Sequence, residues 1–447
     1  MIGVAMSRWA WIQTLKHNQG IRRLASSILW LGSAQVGGRI VRLGCSIILA
    51  RLLTPEVFGQ VAIILTSFEI VSIFIRRITS ASLIKMDDSA FASHLASANL
   101  INLFVCVLSF VALSLLSGLL AIYYQDAQIV KPMILMATSY LLLPFGMLHA
   151  AANLRQNKMR IVAKANLWQT VADSVLTAIL ALCGMGIWGI ILPKVLVVLI
   201  WIAVHRQHSG IHNIHTAPFT RSFSQINLNQ CKSLFRFGTQ VALGDLCLAL
   251  RQNIDYLLVG YVLGVEALGI YFFAVNTSLG ISLGLIQSFG TAFYSHLCQS
   301  DGEDALLKYR HGLLSIMLVT LPIIGLQSAL APWYLPLVYG QHWLEAGALP
   351  VFILLCLSGL TRPLGEAASQ LLISCELSKL NLVSNVGFIG LLALSISLGT
   401  LWGLKGVAMG IFLCYLICMP LFAYFVMKPI AEKLRLPTLS PSLGGSL

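Results

Sequence analysis

Charge is scarce in this chain. Asp, Glu, Lys and Arg together make up 10% of its 447 residues, against about 25% in soluble domains. Acid is the scarcer sign, with 16 Asp and Glu against 29 Lys and Arg. This composition excludes a soluble multidomain enzyme, a disordered chain and a fibrous repeat. No G-x-x-x-x-G-K-[ST] loop is spelled anywhere, so the chain does not itself burn ATP. No H-E-x-x-H helix is present either, which removes a common zinc-hydrolase design. The ten cysteines (Cys45, Cys106, Cys183, Cys231, Cys247, Cys298, Cys356, Cys375, Cys414, Cys418) fall mostly inside apolar runs and form no C-x-x-C pair. Neither a disulfide framework nor a metal site is expected from them. His205, His208, His212 and His215 are spaced for one helical face. With no cysteine or carboxylate beside them they read as a solvated loop. No small-residue cleavage site follows the N-terminal basic residues, so no removed signal peptide is expected.

What is present is apolar. Hydrophobic residues make up 57% of the chain and mean hydropathy is +0.85. A membrane helix needs roughly 20 apolar residues, or roughly 35 with its connection, so the length fits about a dozen spans. Twelve are read, at 24–50, 57–84, 93–124, 130–154, 161–183, 187–206, 234–263, 267–297, 311–335, 347–375, 380–401 and 405–427. The expected fold class is an all-α polytopic membrane protein of about 12 transmembrane helices in two six-helix lobes. The expected organisation is a cytoplasmic N-terminal segment 1–23, an N-lobe 24–206, a linker 207–233, a C-lobe 234–428 and a cytoplasmic tail 429–447.

The net charge of +13 is not spread evenly. Basic residues cluster at alternate connections: Arg22 and Arg23; Arg76, Arg77 and Lys85; Arg155, Lys158, Arg160 and Lys164; Arg206 to Arg236; Lys308 and Arg310; Lys379; and Lys428 to Arg435. The intervening connections hold only Arg51, Lys131 and Lys405. This is the positive-inside pattern, and it puts both termini in the cytoplasm of a multi-pass inner-membrane protein. No cluster forms the continuous basic surface that nucleic acid needs.

The halves look duplicated. LLTPEVFG near residue 52 answers VLGVEALG near 262, pairing Glu56 with Glu266 and Gly59 with Gly269. Pro144 and Gly146 in span four answer Pro363 and Gly365 in span ten. Gly184 with Trp188-Gly189 answers Gly399 with Trp402-Gly403. Six spans per copy give both copies the same orientation, hence a pseudo-twofold axis along the membrane normal. Recurrent helix-end chemistry in any polytopic protein is the competing explanation.

Charges inside spans are costly and therefore informative. Gln35, Arg39, Arg42 and Ser46 share one face of span one, and an Arg at mid-span costs roughly 2.5–3.5 kcal/mol on insertion scales. They face either a watery, anion-binding cavity or a carboxylate on a neighbouring span. Span seven carries Asp245, Arg251, Gln252 and Asp255. The two carboxylates suit a coupling cation, while Arg251 and Asp255 are also spaced to pair along the helix. Span ten reads GLTRPLGE from Gly359 to Glu366. Gly359, Pro363 and Gly365 loosen the helix there, and Arg362 and Glu366 are spaced for an intrahelical pair. Glu69, Asp173 and Lys194 are lone charges that either line a cavity or serve packing.

The segment LARLLTPEVFGQV, residues 49–61, resembles the motif after the first span of bacterial polysaccharide transporters. These are the O-antigen and exopolysaccharide flippases of the multidrug/oligosaccharidyl-lipid/polysaccharide exporter superfamily. The stretches FRFGTQVALGDLCLALRQNIDYLLVGYVLGVEALGIYFFAV from 235 and LAPWYLPLVYGQHW from 330 are similar too, and the subgroup resembled is the colanic-acid and teichuronic-acid type. Arg51, Pro55, Glu56, Phe58 and Gly59 match the first motif; Asn253, Asp255, Gly260, Gly264, Glu266 and Gly269 match the second. Tyr261 departs from the Arg common there. Short non-cytoplasmic loops leave little room for catalytic groups, so no enzyme and no cofactor are expected, and the resemblance implies H+ or Na+ coupling. It implies a flippase for an undecaprenyl-diphosphate-linked oligosaccharide in surface polysaccharide or lipopolysaccharide synthesis, working by alternating access. Its implied partners are that lipid-linked substrate, membrane lipids, a polysaccharide polymerase and a chain-length regulator. Arg39, Arg42, Arg251, Arg362, Gln35 and Lys194 are then the anion-binding candidates, and Asp255, Asp245, Glu69 and Asp173 the coupling candidates. Pro144, Gly146, Gly359, Pro363 and Gly365 are the hinge candidates. A drug antiporter of the same superfamily and a non-transporting scaffold for glycan assembly are the alternatives.

Overall fold

A computed structural model describes residues 37–39, 41–83, 86, 88–156, 158–209, 228–297, 303–375 and 377–435. Among them every regular element is a helix. The first unit, Met1–Asn253, opens with α1 over 37–39 and 41–52. There follow α2 (Pro55–Arg77), the short α3 (Ser80–Leu83), α4 (Asp88–Tyr124), α5 (Val130–Leu142), α6 (Pro144–Arg155), α7 (Met159–Leu182) and α8 (Trp188–His208). The next helix, α9 (Leu228–Ser278), begins in this unit. In the second unit, Ile254–Leu447, α9 ends, and α10 (Gly280–Leu297), α11 (Glu303–Tyr339), α12 (His342–Glu345), α13 (Ala348–Ser358), α14 (Arg362–Ser374), α15 (Ser378–Gly399) and α16 (Gly403–Arg435) follow.

Eight helical stretches among the described residues are long and apolar enough to cross a membrane, and the bent pair α5–α6 makes nine. Two of the eight fold back on themselves. Tyr271 donates a hydrogen bond to Asp255, 16 positions earlier, over 2.7 Å, whereas a straight helix would hold them about 24 Å apart. The chain reverses at Gly264, whose φ of 87° suits a residue without Cβ. Likewise Ser395 donates to the Gly410 carbonyl over 2.8 Å, across a reversal at Gly403 with φ of 68°.

Two spans are broken. Pro144 has no N–H to continue α5, and α6 leaves at 53° to it. Gly146 then allows close packing, since a Cβ there would sit 2.7 Å from the Trp201 ring. In the second unit Gly359, Leu360 and Thr361 separate α13 from α14, with Pro363 in the new helix's first turn. A Cβ on Gly365 would meet the Met419 sulfur. Trp201 and Met419 lie on the last spanning helix of their respective halves. Both motif glycines therefore pack closely against that helix, although only the first break bends its span by more than 40°. Without a hydrophobic drive between helices in lipid, such close small-residue contacts carry the packing.

The first unit's core holds Tyr140, Ile64, Met133, Leu113 and Ile191. Tyr140 stacks on Phe68 at 4.6 Å and donates to the Phe68 carbonyl over 2.6 Å. That bond satisfies a hydroxyl that no water can reach. A smaller core in the second unit gathers Phe293, Tyr309, Leu371 and Val426.

Candidate functional site

The break in span ten sets up the second unit's polar centre. Arg362 is the first residue of α14, on a turn that proline and glycine hold open. Its guanidinium carbon lies 4.1 Å from the centre of the Tyr415 ring, and Thr361 fixes that neighbour by donating to the Tyr415 carbonyl over 2.9 Å. The Arg362 Nη2 reaches Ser358 Oγ only at 3.5 Å. Its Nε is buried with no hydrogen-bond partner. No described carboxylate comes within ion-pair distance of it. The spacing of Arg362 and Glu366 predicts an intrahelical pair, but the structure does not form it: Gln370 Nε2 donates to Glu366 over 2.8 Å instead. A stacked arginine keeps its fork free for a planar anion.

Asp255 stands on the same unit's α9. Its Oδ2 accepts from the Tyr271 hydroxyl, and its Oδ1 from the Tyr256 backbone N–H over 3.0 Å. The Tyr256 and Tyr271 rings meet edge to face at 5.6 Å. Arg362 lies within electrostatic reach of the carboxylate. The expected partner along the helix, Arg251, has its side chain outside the described residues, as does Asp245; Gln35 lies outside them altogether. Asn253 donates within its own helix, to the Ala249 carbonyl over 2.9 Å.

In the first unit the structure joins two candidates that the sequence reading assigned to opposite roles. Lys194 and Asp173 form an ion pair at 3.0 Å, each about a quarter exposed. Asp173 Oδ1 is buried without a partner. Pro193 lies inside α8 just before that lysine. Helix α1 runs against α7 here, since a Cβ on Gly38 would lie 3.2 Å from Thr170. One turn later Arg42 is exposed, while Arg39 is half-buried. Glu69 and Arg76 pair at 2.6 Å with side chains 50% and 58% exposed. An exposed ion pair on a spanning helix requires water or headgroups rather than acyl chains.

The motif residues serve the fold. Pro55 opens α2 with Glu56 in its first turn, where a carboxylate meets the positive end of the helix. Phe58 and Gly59 are buried and Arg51 is exposed. In the second copy Gly264 takes the reversal, Glu266 follows exposed, and Gly269 is buried.

Sequence reasoning missed Tyr256, Tyr271 and Tyr415. Only the Gly264 reversal signals the first two, because it places residues roughly equidistant from the turn opposite one another. It also misread His205, which is not in a solvated loop but 2% exposed, contacting Asn153 Nδ2 at 3.2 Å. A further spelling escaped it, Gly280 to Gly284 as G-x-S-x-G. That motif activates serine on a strand-to-helix turn; here it lies within α10, and Ser282 donates to the Leu279 carbonyl over 3.2 Å.

These helices define a multi-pass α-helical membrane protein with charges held inside its spanning segments. A family model described as polysaccharide biosynthesis protein matches residues 48–348, and the chain belongs to that family. It is 26% identical over 304 residues to the teichuronic acid biosynthesis protein TuaB of Bacillus subtilis, a match covering 66% of this chain and 59% of that protein. The chain thus spans 59% of that relative's length. An uncharacterized membrane protein in the cps region of Klebsiella pneumoniae is 22% identical over 430 residues, 94% of this chain and 83% of that one. Among solved structures, the lipid II flippase MurJ in its inward closed conformation superposes with a TM-score of 0.68 at 14% identity, over 91% of this chain and 89% of that one. That likeness shows the shared fold.

Proposed function

We propose that the chain is a flippase. It would carry an undecaprenyl-diphosphate-linked oligosaccharide repeat unit from the inner to the outer leaflet of a bacterial inner membrane, by alternating access between two six-span lobes. The observation that carries this reading is Arg362. A cation in a broken span, stacked on an aromatic ring and without an ion-pair partner among the described carboxylates, is an arrangement suited to a diphosphate supplied from outside the protein. Arg42 and Arg39 add positive charge on α1, and family membership supports the substrate class. Asp255, cradled by Tyr271, is the coupling group for H+ or Na+; the paired Asp173 and Lys194 serve the fold first. No catalytic step is assigned. Both termini lie in the cytoplasm, and a polymerase and chain-length regulator take the product.

The test is complementation of a strain lacking its polysaccharide flippase, read as polymer on the cell surface, with membrane abundance checked by blot. Wild type should restore polymer, while Arg362→Ala and the double variant Arg39→Ala/Arg42→Ala should not at equal abundance. Full polymer from these variants would sink the anion-site reading. A wild type that restores nothing but lowers drug accumulation would install the antiporter instead.

A further inference from the structure

The second unit holds a cleft that the transport reading does not use. Its volume is 460 Å³, within the roughly 300–1,000 Å³ of ligand pockets. It opens at the end of the unit that carries the Gly264, Gly347 and Gly403 turns, and Ile270, Val351 and Leu404 line it alongside Glu266, Lys405 and Trp402. Glu266 and Lys405 are both exposed, and neither pairs with the other or with any described residue. Opposite charges sharing one cleft and left apart are a complementary surface for a ligand that carries both signs. Lys405 moreover sits in the first turn of α16, against the positive end of its own helix, where a lysine is disfavoured unless an anion offsets it. Trp402 is 74% exposed, as a side chain anchored at the membrane–water boundary is. In the first copy Ile191 stands about where Lys405 would fall, and Asp126 is bonded to Gln60 over 2.7 Å.

We infer that this cleft binds a membrane phospholipid with a phosphoethanolamine headgroup. The ammonium donates to the Glu266 carboxylate, the phosphate accepts from Lys405, and the glycerol and first acyl carbons lie on the apolar wall. An anionic lipid meets Glu266 with the wrong sign. A quaternary headgroup has no N–H to donate. The site is independent of the diphosphate site at Arg362, so it stands whether or not the chain flips glycans.

The experiment is native mass spectrometry of the full chain in detergent, titrated with phosphatidylethanolamine or phosphatidylglycerol of identical acyl chains. Wild type should retain phosphatidylethanolamine about fivefold better, the contribution of one exposed ion pair. Glu266→Gln should bring that preference to parity, whereas Lys405→Gln, which removes a contact both lipids share, should weaken retention of both. Lys405→Arg, which keeps the charge, and Glu56→Gln, at the equivalent position of the first copy, should preserve it. Equal retention of both lipids by wild type, a preference for the anionic lipid, or Glu266→Gln and Lys405→Gln variants that behave as wild type would each overturn the assignment. Thermal unfolding of every variant in the same detergent separates loss of the site from loss of the fold.

Discussion

At the scale of single residues, the second unit holds a cation and a carboxylate in separate settings. Arg362 is positioned by a ring and a weak hydroxyl contact, and among the described residues no carboxylate pairs with its fork. Asp255 is positioned by a tyrosine and a backbone N–H, one on each carboxylate oxygen. The stacking gives a graded prediction. Tyr415→Phe keeps the ring and should keep polymer output near wild type. Tyr415→Ala should cut it by about tenfold, a loss within the range of a desolvated cation–π contact. Equal losses for the two would mean that the hydroxyl matters and the ring does not. The carboxylate is tested separately. Asp255→Asn keeps an acceptor for Tyr271 but removes the charge, so polymer output should fall and should no longer respond to an ionophore that collapses the proton or sodium gradient. Full, ionophore-sensitive output from that variant would remove Asp255 from coupling.

At the scale of helices, glycine decides where two backbones touch. A Cβ on Gly399 would sit 2.6 Å from the Gly406 carbonyl oxygen, whereas one on Gly387, in the same helix, would meet nothing within 4 Å. Backbone cannot move aside as a side-chain end can. Gly399→Ala should therefore cost about 1–3 kcal/mol, seen as a lower unfolding temperature in detergent. Gly387→Ala should be neutral or stabilise by about 0.5–1 kcal/mol. Reversed effects would mean that α15 and α16 do not pack as described. The same elements show what a reader of the sequence can and cannot see. Proline and glycine announce the breaks at Pro144 and Gly359 because their effect is local to the backbone. The Gly264 reversal is legible as well, falling between the spans read at 234–263 and 267–297, but the tyrosines it brings together are not. Tyr415 lies 53 positions from Arg362 and looks like an ordinary packing aromatic; only the fold brings the ring under the guanidinium. His205 was misjudged because its histidine cluster runs on into a polar loop, so the composition of the loop masked the buried end of α8.

At the scale of the whole molecule, charge asymmetry predicts which end of each helix faces which side of the membrane. Basic residues gather at one set of helix ends and nearly vanish from the other. Positive charge resists translocation, so the bare ends are expected to be the translocated ones. The turn from α7 to α8 is such an end. Gly184 and Gly186 there adopt φ of 77° and 54°, and Cys183 is an exposed thiol. With Cys183 retained as the single cysteine, an impermeant maleimide added to intact spheroplasts should label the protein fully before the membrane is permeabilised. A cysteine placed at Lys164, exposed near the opposite end of α7, should label only afterwards. The two single-cysteine variants are read in parallel preparations, so leakiness would show as labelling at both. The reverse pattern would invert the orientation, place Arg155, Lys158 and Arg160 outside, and direct any transport through Arg362 the opposite way.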